Sequence, residues 1–161
     1  MWKRVFSQIG LVLIVLGEVN AAELTPLNMI QTAYDQISQD KWVGAGDPAE
    51  VRLAPVKLTA NWFTARFIGA LYQDSKCWEA GKEGIGPVWY DGQDSSIKDL
   101  NITKKNETAN AQTIHADFTN NGRAESKDFL FKNGVRGWRI DDIIDGKQSL
   151  FEQMAKGCPG Q

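Results

Sequence analysis

The apolar positions of this chain change period part-way along it, from helical spacing before about residue 80 to alternation after about residue 96. Thr25-Pro26 reads as an N-cap followed by proline at the first helical position. Leu27, Ile30, Tyr34 and Ile37 then recur at helical spacing, which predicts a helix over 26–39. Trp42 and Gly44-Ala45-Gly46 end it. Asp47-Pro48-Ala49-Glu50 repeats the start signal in capping-box form, for a short helix to about Leu53. After Pro55 a longer helix is predicted over 56–77, with Leu58, Trp62, Ala65 and Tyr72 on one stripe and Phe63, Phe67 and Ala70 beside it. So wide an apolar face implies more than one packing neighbour.

Glycines and a proline break the pattern between Gly81 and Asp94. Alternating runs follow at 97–104, 110–120, 124–132 and 138–144, joined by connections short enough to make neighbouring strands antiparallel. Asn133-Gly134 is expected to form a type I′ hairpin turn, since both residues tolerate positive φ. In a regular strand after it, Trp138, Ile140, Asp142 and Ile144 share the core face, while Arg139, Asp141 and Ile143 point away. Adjacent Asp141 and Asp142 would then not cooperate, and Asp142 would have to be paired, unless a bulge or the strand's end intervenes. Residues 149–156 close the chain as a short helix with Leu150, Phe151 and Met154 inward. Helices gathered first and an antiparallel meander after them argue an α+β fold. The expected architecture is N-terminal helices on a curved antiparallel sheet of about four strands, plus the short C-terminal helix.

The N-terminus changes how the rest is counted. Lys3 and Arg4 precede the apolar run Ile9 to Leu16, and Val19-Asn20-Ala21 places small residues at a cleavage site. That is the pattern of a secretory signal peptide over 1–21, cut after Ala21 or Ala22, leaving a single domain over 22–161 that is periplasmic or secreted. The apolar run is roughly half the ~20 residues a membrane span needs, and no later segment is long and apolar enough either. Removing Lys3, Arg4 and Glu18 turns 18 basic and 20 acidic residues into 16 and 19, a net charge of −3 without a long run of either sign. Nucleic-acid binding through a basic face has no support there. Cys77 and Cys158 are the only cysteines, an even number in an exported chain, so a disulfide is expected, with two buried free thiols as the alternative. Two cysteines are too few for a structural zinc site.

Signatures of bound metal, nucleotide or flavin are missing, so no cofactor is implied. The one histidine, His115, lies two residues from Asp117 and so on the same strand face, where a carboxylate could orient an imidazole as a general base. Ile114, Ala116 and Phe118 make the opposite face apolar, which leaves His115 equally readable as a solvent-facing strand residue. Trp89, Tyr90, Asp91, Gln93 and Asp94 sit in the glycine-rich stretch, either as a binding rim or as a loop pinned by a buried tryptophan. Should that loop reach the last strand, an Arg139 fork to a carboxylate would hold it, with Asp141 beside it, or the same charges would form a polar ligand site.

The run W-Y-D-G-Q-D (Trp89 to Asp94), an alternating strand pair, and G-W-R-I-D-D-I (Gly137 to Ile143) resemble a group of exported bacterial domains of unknown function. That group has the nuclear-transport-factor-2-like, or cystatin-like, α+β fold, and the resemblance covers residues 27 to 155. It implies a half-open cone between the long helix and the concave sheet, lined by aromatics such as Trp62 and Phe129, with the Trp89 to Asp94 loop at its mouth. Members of the superfold include isomerases and dehydratases that place His and Asp in the cone, and many binding and assembly modules without catalysis. The reading that follows is a periplasmic binding module for a small molecule or a protein partner, with no chemistry of its own. The alternatives are an isomerase- or dehydratase-like enzyme using His115 and Asp117, and an immunity-type inhibitor that presents an acidic loop to a periplasmic toxin.

Overall fold

Asn121 and Gly122 both take positive φ, +50° and +79°, and make the two-residue turn on which the sheet is built. Across it β2 (Ala111–Asn120) and β3 (Arg123–Gly134) pair from Asn120↔Arg123 to Ala111↔Lys132 without a register shift. The computed structural model describes residues 25–39, 62–82, 84–85, 88–92 and 95–158. Within them, α1 (Pro26–Ser38) and α2 (Ala65–Glu79) precede a five-stranded meander, and α3 (Leu150–Ala155) follows it. The strand order is β1 (Ile97–Glu107), β2, β3, β4 (Gly137–Asp145), β5 (Gln148–Ser149), every pair antiparallel. The α+β architecture stands as expected, with the two-residue β5 as an extra strand. The segment read as a signal peptide, the capping-box helix at Asp47 to Leu53, positions 56–61 of the long helix, and Gln93 and Asp94 lie outside the described residues.

The first helix begins where its sequence says, with Thr25 Oγ1 accepting from Asn28 N–H. It buries Met29, Ile30, Ala33, Tyr34 and Ile37, whereas Leu27 faces out. The second helix starts later than its apolar stripe suggested. Phe63 is not helical: it forms an isolated parallel bridge with Ile140, and Thr64 N–H donates to the Ile140 carbonyl at 2.9 Å. Its core face is Phe67, Ala70 and Leu71, and Tyr72 is exposed. A helix starting at 65 and a strand-like residue at 63 present different sides to the core, which is why the expected stripe looked too wide.

Asn133-Gly134 is not the hairpin turn. Both residues are paired in β3, and Val135-Arg136 make the reversal ahead of Gly137, which takes the +78° φ. A bulge then changes the faces of β4. Leu130 pairs with Asp142 and the next residue, Phe131, with Ile140, so Asp141 is the extra residue. One inserted residue sends every later side chain to the other face. Ile143 rather than Asp142 therefore joins Ile140 in the core. Asp142, paired opposite Leu130, caps α3 instead: it accepts from Ser149 Oγ at 2.6 Å and Phe151 N–H at 3.1 Å. Trp138 is only half-buried at the core margin, and the central tryptophan is Trp89.

Aromatic rings pack between the described helices and the sheet. Trp89 stacks on Phe129 with centroids 5.4 Å apart and meets Phe63 edge-on at 5.9 Å, while Tyr34 lies 5.0 Å from Phe118. Trp62 and Phe129 are buried within this cluster. Cys77, in the last turn of α2, and Cys158, beyond α3, form a disulfide with Cα atoms 5.3 Å apart. Closing a loop of 81 residues stabilises by up to ~4.5 kcal/mol in the chain-entropy picture. Among the described residues, no helix is long and apolar enough to cross a membrane.

Candidate binding site

The segment 88–92 runs over the sheet end at which β2 turns into β3, and main-chain groups hold much of it there. Tyr34 donates its hydroxyl to the Trp89 carbonyl at 2.8 Å. Asn120 donates from Nδ2 to the Asp91 carbonyl at 2.9 Å and to Glu125 Oε1 at 3.0 Å. Glu125 Oε2 in turn accepts the Asp91 N–H at 2.9 Å. Lys127 completes the arrangement from below, its Nζ 2.9 Å from Asp91 Oδ1 and 2.8 Å from Asp145 Oδ2. The Lys127 side chain is 1% exposed, a buried cation with a carboxylate on either side. Burial, and then the nearby charges of Glu125, Asp145 and Asp91, hold the Tyr34 phenol well above its ordinary pKa, so it remains a donor. Gly92, at φ +98°, carries the chain away.

Beside this loop is a cleft of about 410 Å³, lined by Asp91, Gly92, Asn120, Arg123, Ala124 and Glu125 among others. A second of about 410 Å³ shares Ala124 and Glu125 and includes Asp99 and Asp117. The first is a polar hollow, with Gly92 and Ala124 the apolar residues among its described lining. Among the described residues, no group of three or more His, Cys, Asp or Glu is arranged to hold a metal ion.

The residues singled out from the sequence are not brought to one place. Asp91 lines the cleft, whereas Trp89 and Tyr90 are buried in the core behind it. The Trp89 indole N–H is buried with no hydrogen-bond partner. Among the described residues, Arg139 does not reach the loop; its Nη1 donates to the Trp138 carbonyl, and Lys127 is the cation on Asp91. Asp141, on the β4 bulge, belongs to a different knot. It accepts from Arg66 Nε and Nη2, both at 2.6 Å, and from Thr64 Oγ1 at 3.0 Å, with Lys132 Nζ at 2.6 Å. Burial raises the Asp141 carboxyl, but the hydrogen bonds from Arg66, Lys132 and Thr64 outweigh it and leave the pKa below the usual range. This knot ties the start of α2 to the sheet, with the Arg66 guanidinium 4.0 Å above the Phe151 ring.

His115 and Asp117 do share a face, on the side of β2 away from the core. His115 Nε2 is 2.9 Å from Asp117 Oδ1, and Nδ1 contacts Asp128 Oδ1 at 2.5 Å. Lys105 Nζ reaches both Asp128 oxygens, at 2.8 and 3.0 Å. Desolvation raises the Asp128 carboxyl, and hydrogen bonds from Lys105 and His115 overcome it to hold the pKa low. Both ring nitrogens thus face a carboxylate oxygen.

Sequence reasoning passed over Asp128, Arg123, Glu125, Asn120, Lys127 and Arg66. Some were findable. A two-residue turn at Asn121-Gly122 fixes the pairing and puts Asp128 opposite His115. Parity with Phe129 and Phe131 puts Lys127 on the core face, where a cation requires partners. Nothing in the sequence ties Arg66 to Asp141 across 75 positions.

No family model matches the chain, and no curated protein matches it. Among solved structures it is similar to a phospholipid-binding protein from Ralstonia solanacearum, determined in complex with a phospholipid. The identity is 11% and the TM-score 0.47, covering 81% of this chain and 83% of that one. At that level the likeness carries no argument about function.

Proposed function

We propose that the protein is an exported binding module that takes a small polar ligand in the cleft beside the β2–β3 turn, without chemistry of its own. The observation that carries this reading is the cleft itself, polar-walled and set beside a loop held by four hydrogen bonds to side chains. A site held in place before binding loses less entropy when it is filled. The Cys77–Cys158 bridge supports export, because disulfides persist in oxidising compartments and are rare in the cytosol. Kinship with the exported nuclear-transport-factor-2-like group belongs to the same proposal. Thermal-shift screening against polar metabolites is the test, since a ligand at 100 times its Kd stabilises by ~2.7 kcal/mol. The shift should vanish in Arg123→Trp, which puts an indole into the cleft from an exposed position on the strand face that lines it. A ligand that stabilises the protein and its Arg123→Trp variant equally would overturn this location.

An enzyme of isomerase or dehydratase type has one observation in its favour, the Asp128 carboxylate that orients His115 Nδ1. It ranks second because Asp117 occupies Nε2 and His115 lines neither cleft. A reaction lost in His115→Gln, with the melting midpoint unchanged, would reverse the ranking.

A further inference from the structure

Arg123 and Glu125 stand two residues apart at the start of β3, so their side chains leave the same face of the strand. Both line the cleft, with their Cα atoms roughly 7 Å apart along an extended backbone. They carry opposite charges, yet they do not pair. Glu125 receives only neutral donors, the Asn120 amide and the Asp91 N–H. Among the described residues, Arg123 forms no salt bridge through its guanidinium. The nearest buried cation, Lys127, is already committed to Asp91 and Asp145. Among the described residues, one wall of the cleft therefore offers a carboxylate lacking a cation and a guanidinium lacking an anion.

We infer that the cleft binds a small zwitterion, with an ammonium group on Glu125 and a carboxylate on Arg123. This rests on the binding-module reading above and names its ligand class. An ammonium would add a charge-assisted contact to a carboxylate that now has neutral donors alone, and a carboxylate would meet the two-pronged guanidinium fork. The lining argues against an apolar ligand, because Ala124 and Gly92 give it little surface to cover. It also argues against a simple anion, which Glu125 and Asp91 would repel.

The probes are γ-aminobutyrate, whose charges are separated by a three-carbon chain, and its two half-ligands, butylamine and butyrate. Calorimetric titration of the full chain at low salt should show γ-aminobutyrate binding, with neither half-ligand binding at the same concentration. Glu125→Gln and Arg123→Gln should each weaken binding by about 10- to 150-fold, the range for one hydrogen bond to a charged group. Arg123 is exposed, so its variant tests the idea without endangering the fold. Butylamine binding as tightly as γ-aminobutyrate would overturn the zwitterion. So would affinity unchanged in Arg123→Gln, or no binding by any of the three probes. The cleft reading survives such a failure if a ligand from the wider screen still loses its effect in Arg123→Trp. It falls with the zwitterion if no ligand does.

Discussion

Lys127 and His115 lie on neighbouring strands of one hairpin, the first facing the core and the second facing away from it. Each is flanked by two aspartates: Asp91 and Asp145 for the lysine, Asp117 and Asp128 for the histidine. The local chemistry is nearly the same and the surroundings are not. The lysine side chain is 1% exposed, while the histidine is 18% exposed beside an Asp117 that is 51% exposed. Inside, the lysine has lost its water while its partners keep part of theirs, Asp91 being 61% and Asp145 35% exposed, so removing both carboxylates leaves the cation stranded. Outside, water and salt screen the same contacts, and each is worth little. The inner group fixes where the 88–92 loop sits, whereas the outer group ties together strands that the backbone already pairs.

The largest effect should come from stranding the inner cation. Asp91→Ala combined with Asp145→Ala leaves Lys127 without a carboxylate and should cost about 3–5 kcal/mol in urea melts. Lys127→Met removes the charge along with the need for partners and should stay within about 1 kcal/mol of wild type. Equal losses in the two variants would erase the distinction between inside and outside.

Next comes Tyr34→Phe, which leaves the buried Trp89 carbonyl without its donor and should cost about 1–3 kcal/mol. The Tyr34 pKa is raised in the folded state, so its contribution is complete below the unfolded value near 10 and is lost as pH rises above it. Wild type should therefore lose stability on the alkaline side and Tyr34→Phe should lose less, which melts between pH 9 and 11 would read. Parallel alkaline limbs would mean the hydroxyl is not buried.

The smallest effects belong to the outer group. His115→Gln should cost under about 1 kcal/mol, and less still in high salt. Asp128, whose folded pKa is lowered, contributes stability that is present above about pH 3.8 and is lost as pH falls through the folded value. Asp128→Asn should therefore flatten the acid limb of the stability curve. A His115→Gln penalty as large as that of the stranded lysine would show that the outer face is not solvated.

How much of this was legible varies with how local the cause is. Thr25-Pro26 set the start of α1 because a cap and a proline act within one turn. The meander followed from short connections, and the disulfide from two cysteines in a chain read as exported. The face of Asp142 did not follow, because the bulge at Asp141 depends on what that carboxylate meets, and its partners come from Thr64 and Arg66. Two Asn-Gly pairs look alike as text, yet Asn121-Gly122 turns and Asn133-Gly134 stays extended. The partner strand makes that choice. Trp138 sits at the core margin and not inside it, while Trp89 takes the buried one of its two expected roles, since burial is set by which segments cross above the sheet. At the candidate site, Asp91 was visible as a loop carboxylate, while Arg123 and Glu125 acquire meaning only once the turn puts them beside it.

The bridge from Cys77 to Cys158 also decides what a mechanical load on this molecule can reach. All five strands and α3 lie between the two cysteines, inside a covalent ring, whereas α1 and most of α2 lie outside it. Tension applied between the two chain ends passes from Cys77 straight to Cys158 and bypasses the sheet. The helices ahead of Cys77 can be drawn out, but the 81-residue ring withholds about 280 Å of contour until it is reduced. In a single-molecule pull that length should appear only after reductant is added, and the cleft beside the β2–β3 turn would be spared the load until then.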